Sequence, residues 1–238
     1  AKGADFAIVI AKTDPDASVA QARNSAFIVP LDSPGFEIVR DVETMGGKHN
    51  HPEVRYNDVR VPKENLLGER GGGHKLGQVR LGPARLAHCM RWLGQIEMAL
   101  EMLIDRAQKR FAHGSLLSEK QSIQWMMSDS AMELYSSKLM VLHAAYKIEN
   151  GMEFKQEVSM AKHHVANTLW RVVDRAMQVH GALGYSTDTP LAGMMQQARW
   201  ARLADGADEV HQMRIAELLM KAYNSDGSIN QGVGGLPL

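Results

Sequence analysis

Within ARLADGADEVHQ (201–212), Asp205 stands directly before Gly206, between two stretches of helical spacing. A carboxylate placed there can act in two ways. It can accept hydrogen bonds from the free N–H groups of the following helix, a reading that Asp208 three residues on and Glu209 beside it support. It can also stand clear of that helix and take a proton from a bound molecule, if it lies within hydrogen-bond reach of it. Taken alone, the local pattern points to the cap.

The other chemical candidates are weaker. GERGGGHK (68–75) has Gly68, Gly73 and Lys75, but His74 intervenes and Leu76 stands where a phosphate loop needs Ser or Thr. GGGHKLG shows no strand before it and no helix after it, as a dinucleotide fingerprint would require, so these read as loop glycines. His49 and His51 flank an asparagine, and His163 and His164 are adjacent on a helix. Neither spacing aims two imidazoles at one metal. Cys89 falls in an apolar helical stripe as a small hydrophobe, and no G-x-S-x-G elbow occurs. Arg110 suits the C-terminal end of a helix, and Gln121 and Gln178 read as solvated.

Composition narrows the classes. Lys plus Arg number 27 and Asp plus Glu number 27, so no basic footprint suggests nucleic acid or an anionic membrane. The single cysteine excludes an intrachain disulfide and suits a reducing compartment. No apolar run of about 18 residues is present to span a bilayer, and no signal peptide is visible. The 15 methionines read as fillers of irregular core gaps. AKGADFAIVIAK has no initiator methionine and enters a strand pattern at once, so an N-terminal part is expected to be missing.

The elements that would position these groups fall into two blocks. Residues 5–11, 25–31, 36–42 and 53–62 are short, rich in Val, Ile and Phe, and separated by Pro, Gly, Asp and Asn, as strands are. Four or five strands in that space make a sheet, not a closed barrel. From Gly82-Pro83, a suitable helix start, apolar residues recur at three- and four-residue spacing through Leu86, Cys89, Met90, Leu93, Ile96, Leu100, Leu103 and Ile104 to about Phe111. The pattern returns over 116–149, through Leu117, Ile123, Met126, Met127, Met132, Leu139, Leu142 and Ala145, and again over 154–180, 191–203 and 206–223. The fold class is therefore α+β, mostly α: a partial β-domain over 1–70, an antiparallel helical bundle over 71–224, and an aperiodic tail over 225–238.

Four stretches, in order, carry a resemblance. YNDVRVPKENLLG (56–68) is similar to the last middle-domain strand and exit loop of the acyl-CoA dehydrogenases. RFAHGSLLSEKQSIQ (110–124) resembles their R-x-x-F-G…Q segment, with His113 where the aromatic stands. QVHGALGY (178–185) resembles Q-x-x-G-G-x-G-Y/F, with Ala182 for the second glycine. ARWARLADGADEVHQ (198–212) resembles A-R-x-x-R-I-x-E-G-T-x-E. The match is collinear over residues 5–222. A-D-G for Y-E-G, and Gly82 for an acidic substrate-contacting residue, resemble the branch called family members ten and eleven.

The resemblance implies the second half of a middle β-domain followed by the four-helix bundle of the acyl-CoA dehydrogenase type. It implies an FAD enzyme of fatty-acid β-oxidation that converts an acyl-CoA thioester to trans-2-enoyl-CoA and passes electrons to an electron-transfer flavoprotein. Asp205 would be the α-proton base. Arg110 would pair with the FAD pyrophosphate, Leu117 and Gln121 would touch its adenosine and ribose side, and His113 would take an aromatic's place in the flavin packing; these groups, like Gln178, Gly181 and Ala182, would reach a flavin held mainly by a neighbouring subunit of a homodimer or homotetramer. Ala207 and Glu209 would lie at the flavin of the same subunit. Arg85, Ala204 and Gly206 would meet the substrate, Arg85 near its CoA portion and Ala204 leaving room for a bulky or branched acyl chain. Glu217 replaces a CoA-contacting arginine of some relatives, and Gln196-Gln197 replaces a charge pair. Aspartate is one methylene shorter than the usual glutamate, so a backbone shift or the substrate itself must restore reach. An oxidase passing electrons to oxygen, and a non-catalytic half-site or scaffold subunit, are the alternative readings. The compartment is open among mitochondrial matrix, peroxisome and bacterial cytoplasm.

Overall fold

The protein is described by a computed structural model covering residues 2–229. It divides into two compact units, Ala1–Leu81 and Gly82–Leu238.

The first unit holds β1 (Phe6–Lys12), β2 (Asn24–Pro30), β3 (Phe36–Thr44), β4 (Gly47–Tyr56) and β5 (Leu66–Leu67). β2 is central in a three-stranded antiparallel sheet ordered β1-β2-β5, with Phe6 opposite Pro30 and Lys12 opposite Asn24. β3 and β4 form a hairpin closed by Thr44 and Gly47 around Met45-Gly46. The expected strand over 53–62 therefore sits too late. β4 begins at Gly47 because pairing with β3 supplies ladder bonds that the polar KHNH segment does not advertise, and the chain leaves the strand at Asn57-Asp58, where Asp58 turns left-handed at φ 49°. The side chain of His49 lies outside the described residues.

The glycine-rich segment also departs from expectation. A two-residue strand precedes it, and α1 (Gly73–Lys109) opens within it, so Gly73 and Gly77 are helical. Their smallness serves packing. A Cβ on Gly73 would stand 2.8 Å from the Ser25 carbonyl carbon, and the Gly71 N–H donates to Ser25 Oγ at 2.9 Å. Pro83 is consequently inside the helix rather than at its start. Its missing N–H leaves the Val79 carbonyl unbonded by the helix, and Val79 is exposed, where water can serve that oxygen.

The second unit is helical. After α1 come a small hairpin, β6 (Phe111–Ala112) with β7 (Ser115–Leu116), and then α2 (Gln121–Glu149), α3 (Lys155–His180), α4 (Ala182–Tyr185), α5 (Leu191–Ala201) and α6 (Asp208–Asp226). α2 and α3 run antiparallel: Lys147 near the end of α2 pairs with Glu157 at the start of α3, while Ser130 accepts a bond from Arg175 of α3 at 3.1 Å. α3 is the axial helix, with Val158, Ala161, Val165, Ala166, Leu169, Val172, Val173, Ala176 and Val179 all buried. α1 meets this core with Leu86, Cys89, Trp92, Ile96, Leu103 and Ala107. The stripes are only partly as expected. Met90, Met132, Leu139 and Leu142 are exposed, and of the 15 methionines Met194 alone is buried outright. Met102, Met126, Met127, Met140, Met177 and Met195 pack half-buried against the core as expected, while its centre is mostly Val, Leu and Ala, which let α3 lie close to its neighbours. α6 runs to Asp226 and is closed by Gly227 at φ 63°, so the expected tail starts later; residues 230–238 lie outside the described residues. No helix among the described residues is long and apolar enough to cross a membrane.

Candidate active site

The turn between α5 and α6 decides between cap and free carboxylate. α5 ends at Ala201, and the Leu203 and Ala204 N–H groups close back on the Trp200 carbonyl at 2.8 and 3.0 Å. Asp205 then takes φ 52° and Gly206 φ 112°, and α6 begins only at Asp208, with Ala207 as its N-cap and no side-chain cap bond. Asp205 is not the cap. The acidic first turn belongs to Asp208 and Glu209.

A non-glycine residue in the left-handed region costs on the order of 1 kcal/mol and persists only where its surroundings hold it. Two cations hold this one. Arg85 of α1 donates from Nε to the Asp205 carbonyl at 2.8 Å. Lys162 of α3, fully buried, donates from Nζ to the Gly206 carbonyl at 2.6 Å. Burial lowers the Lys162 ammonium from its usual value, opposed by Asp208 and Asp205; burial likewise lowers Arg85, opposed by Asp205. Gly206 is required twice, by its φ and because a Cβ there would stand 2.9 Å from His211 Nε2. His211 is buried on α6 under this turn. Burial, then the charges of Lys162 and Arg85, push it down to about 4, so it is neutral near pH 7.

Asp208 anchors the far side. Burial would raise its carboxyl, but bonds from Arg202 Nε at 2.7 Å and Asn167 Nδ2 at 3.1 Å prevail and hold it below the ordinary range. With its backbone so fixed, Asp205 turns its carboxylate towards α1, where His88 Nε2 lies 3.0 Å from Oδ2; the Asp205 side chain retains 24% exposure. Trp92 and Trp200 wall this pair, each with its ring centroid 5.5 Å from that of His88.

The predicted residues separate into two groups. Asp205, Gly206, Ala204 and Arg85 converge on this turn, and the half-buried Ala207 follows it directly, with Glu209 exposed on α6. The remaining set is elsewhere. Arg110 follows α1, His113 turns the β6–β7 hairpin at φ 51°, Leu117 is half-buried against the core, and Gln121 opens α2. Gln178 is in the last turn of α3, followed by Gly181 at φ 65° and Ala182. Antiparallel packing of α2 on α3 puts these at one end of the bundle, with Arg110, His113, Gln121, Gln178, Gly181 and Ala182 exposed. From Lys162 to Gln178 along α3 is roughly 24 Å at 1.5 Å per residue. A single chain does not bring the two groups together.

His88, Lys162 and His211 are absent from the sequence expectations. Two had a signal. His88 is three residues after Arg85 and so shares its helix face, and Lys162 interrupts the apolar run Val158, Ala161, Val165, Ala166. Cys89, beside them, is buried, and burial pushes its thiol up to about 12, as befits an inert core residue.

Residues 71–220 match the family model described as acyl-CoA dehydrogenase, C-terminal domain. The chain is 42% identical over 213 residues to "Probable acyl-CoA dehydrogenase FadE2" of Mycobacterium tuberculosis, covering 88% of this chain and 52% of that protein. It is 40% identical over 219 residues to acyl-CoA dehydrogenase family member 10 of Mus musculus, covering 90% of this chain and 20% of that one. Among solved structures, butyryl-CoA dehydrogenase from Megasphaera elsdenii superposes with a TM-score of 0.80 at 31% identity, over 89% of this chain and 55% of that one. Acyl-CoA dehydrogenase from Geobacillus kaustophilus superposes with a TM-score of 0.84 at 29% identity, over 90% and 57%. The chain thus spans about half the length of the first relative and a fifth of the second. Matching helices, a shared fold and a family model that covers most of the bundle lead to one conclusion: this chain belongs to the acyl-CoA dehydrogenase family.

Proposed function

We propose that the whole protein dehydrogenates an acyl-CoA thioester between its α- and β-carbons, with Asp205 as the base. The observation that carries this is the turn itself: a carboxylate outside its helix, on a strained backbone fixed by Arg85 and Lys162. In the reaction the α C–H bond breaks and its proton goes to Asp205. The β-carbon loses hydride, and a trans double bond forms between the two carbons. FAD, when bound, supplies the hydride acceptor. On this reading the left-handed turn sets where the shorter aspartate side chain starts, and about 1 Å of misplacement would cost on the order of a hundredfold in rate.

The exposed end of the bundle suits an anionic dinucleotide. Arg110 makes no ion pair among the described residues and presents a fork that matches phosphate oxygens. Gln121 and Gln178 offer amides beside it, with His113, Leu117, Gly181 and Ala182 shaping the surface. Because this end is far from Asp205, a second copy completes each site. α2 carries exposed Trp125, Met132, Tyr135, Leu139, Leu142 and Tyr146 at spacings of seven, three and four residues, a stripe suited to self-association. Ala204 and Gly206 flank the base, and Arg85 stands beside them near the CoA portion. Gly82 is closely covered: a Cβ there would meet Phe154 at 3.1 Å, so an acidic side chain would displace that ring. Electron-transfer flavoprotein is the proposed acceptor.

Anaerobic addition of acyl-CoAs to the full-length flavoprotein tests the reading. Bleaching of the flavin, with reoxidation by electron-transfer flavoprotein, is expected. Steady oxygen consumption with peroxide would indicate an oxidase, and a protein that takes up no FAD would indicate a scaffold.

A further inference from the structure

Trp200, in the last turn of α5, is 46% exposed and yet held by two other rings. It stands edge-on to Trp92, with centroids 6.5 Å apart and planes at 82°, and edge-on to His88 at 5.5 Å and 63°. Trp92 is buried and stacks on His88, so a core side chain fixes the one at the rim. A lone exposed tryptophan is ordinary. One that is fixed, with nearly half its surface open beside a carboxylate, is a surface prepared for contact.

The pairings of α1 with α5 and its following turn give Trp200 a place in a line. Gln95 donates to Gln197, Trp92 meets Trp200, His88 stands between Trp200 and Oδ2 of Asp205, and Arg85 reaches the Asp205 carbonyl. The partners descend along α1 as they ascend along α5, so the two helices run antiparallel. Arg85 is at one end, Asp205 follows, Trp200 lies beyond it, and the two glutamines close the far end. From His88 to Trp92 the helix rises roughly 6 Å at 1.5 Å per residue. The Ala204 N–H reaches the Trp200 carbonyl at 3.0 Å, so Ala204 is one turn on, and it carries only a methyl between the indole and the base. An acyl-CoA with its CoA portion at Arg85 and its α-carbon at Asp205 therefore continues, past its β-carbon, towards Trp200.

We infer that Trp200 is a specificity-determining residue: the acyl chain past its β-carbon lies against the indole, so the site favours apolar chains long enough to reach it. This rests on the reading that Asp205 is the base and that Arg85 marks the CoA end. The contact is hydrophobic. A butanoyl chain ends one carbon past its β-carbon, whereas an octanoyl chain has four further carbons to lay on the ring, a partial burial that is worth about tenfold in rate.

Two measurements on the FAD-loaded full-length protein test it. Anaerobic flavin bleaching gives kcat/KM for octanoyl-CoA and butanoyl-CoA, and the ratio of the two does not depend on how much folded enzyme a variant yields. That ratio is expected to fall about tenfold in Trp200→Ala and to stay within about threefold of wild type in Trp200→Phe, which keeps an aromatic face. The second is ¹⁹F NMR of protein labelled with 5-fluorotryptophan, with Trp200 assigned by the loss of its resonance in Trp200→Phe. S-octyl-CoA, a thioether that lacks the carbonyl and is not dehydrogenated, is expected to move that resonance; S-butyl-CoA, too short to reach the ring, is expected to leave it in place. A resonance that S-octyl-CoA does not move overturns the inference and leaves the indole to a protein neighbour. Bleaching at the wild-type rate in Asp205→Asn removes the base assignment, and this inference with it. Bleaching that needs Asp205, beside an unchanged ratio in Trp200→Ala, overturns the role of Trp200 alone.

Discussion

His211 offers a quantitative test of how the turn is supported. It is 3% exposed, lies against Gly206, and is pushed down from 6.5 to about 4 by burial and by the nearby charges of Lys162 and Arg85. Its folded value is depressed, so between about pH 4 and 6.5 the unfolded chain binds a proton that the native state does not. Stability from this group is therefore complete above pH 6.5 and declines as pH falls towards 4. At about 1.4 kcal/mol per pH unit, the interval is worth roughly 3 kcal/mol. His211→Gln keeps a neutral polar side chain of similar length and removes the titration. Urea unfolding followed by circular dichroism at pH 7.5, 6, 5 and 4.5 reads the difference. The wild type is expected to lose about 2–3 kcal/mol more than the variant across that range. Parallel stability curves would refute the burial argument for this histidine.

Three further outcomes follow from the same geometry. Gly206→Ala must take φ 112° and bring a methyl within 2.9 Å of His211 Nε2, so it is expected to cost about 1–3 kcal/mol in urea unfolding at pH 7.5; an unchanged midpoint contradicts the close approach. Lys162→Met removes the donor to the Gly206 carbonyl. Wash-out of α-deuterium is expected to fall on the order of a hundredfold with FAD uptake retained, and a wild-type rate would show that the turn holds its shape unaided. Cys89, buried and with its thiol pushed up to about 12, is expected to resist alkylating reagents at pH 8 until the protein unfolds; rapid labelling of the folded protein contradicts its place in the core.

The architecture was largely legible, because long three- and four-residue periodicity is a local signal that the bundle preserves. Local punctuation misled where tertiary contacts overrode it. Pro83 reads as a helix start, yet α1 begins at Gly73, where small residues let the helix approach β2. The polar KHNH segment has little strand propensity and is drawn into β4 by its partner β3. Exposed Met132, Leu139 and Leu142 keep a helical period on the outward face of α2, so periodicity alone could not say which face was the core. At the site, Asp205 stood out through its A-D-G setting, whereas capping could be set aside only once α6 was seen to begin at Asp208. His88 and Lys162 come to Asp205 and Gly206 from other helices, and nothing in their own neighbourhoods names that destination.

The central claim is that Asp205 takes the α-proton, and its most direct test is α-deuterium wash-out by Asp205→Asn in the FAD-loaded full-length protein. The variant is expected to keep its flavin spectrum and lose wash-out by orders of magnitude. Wash-out at the wild-type rate would contradict the account.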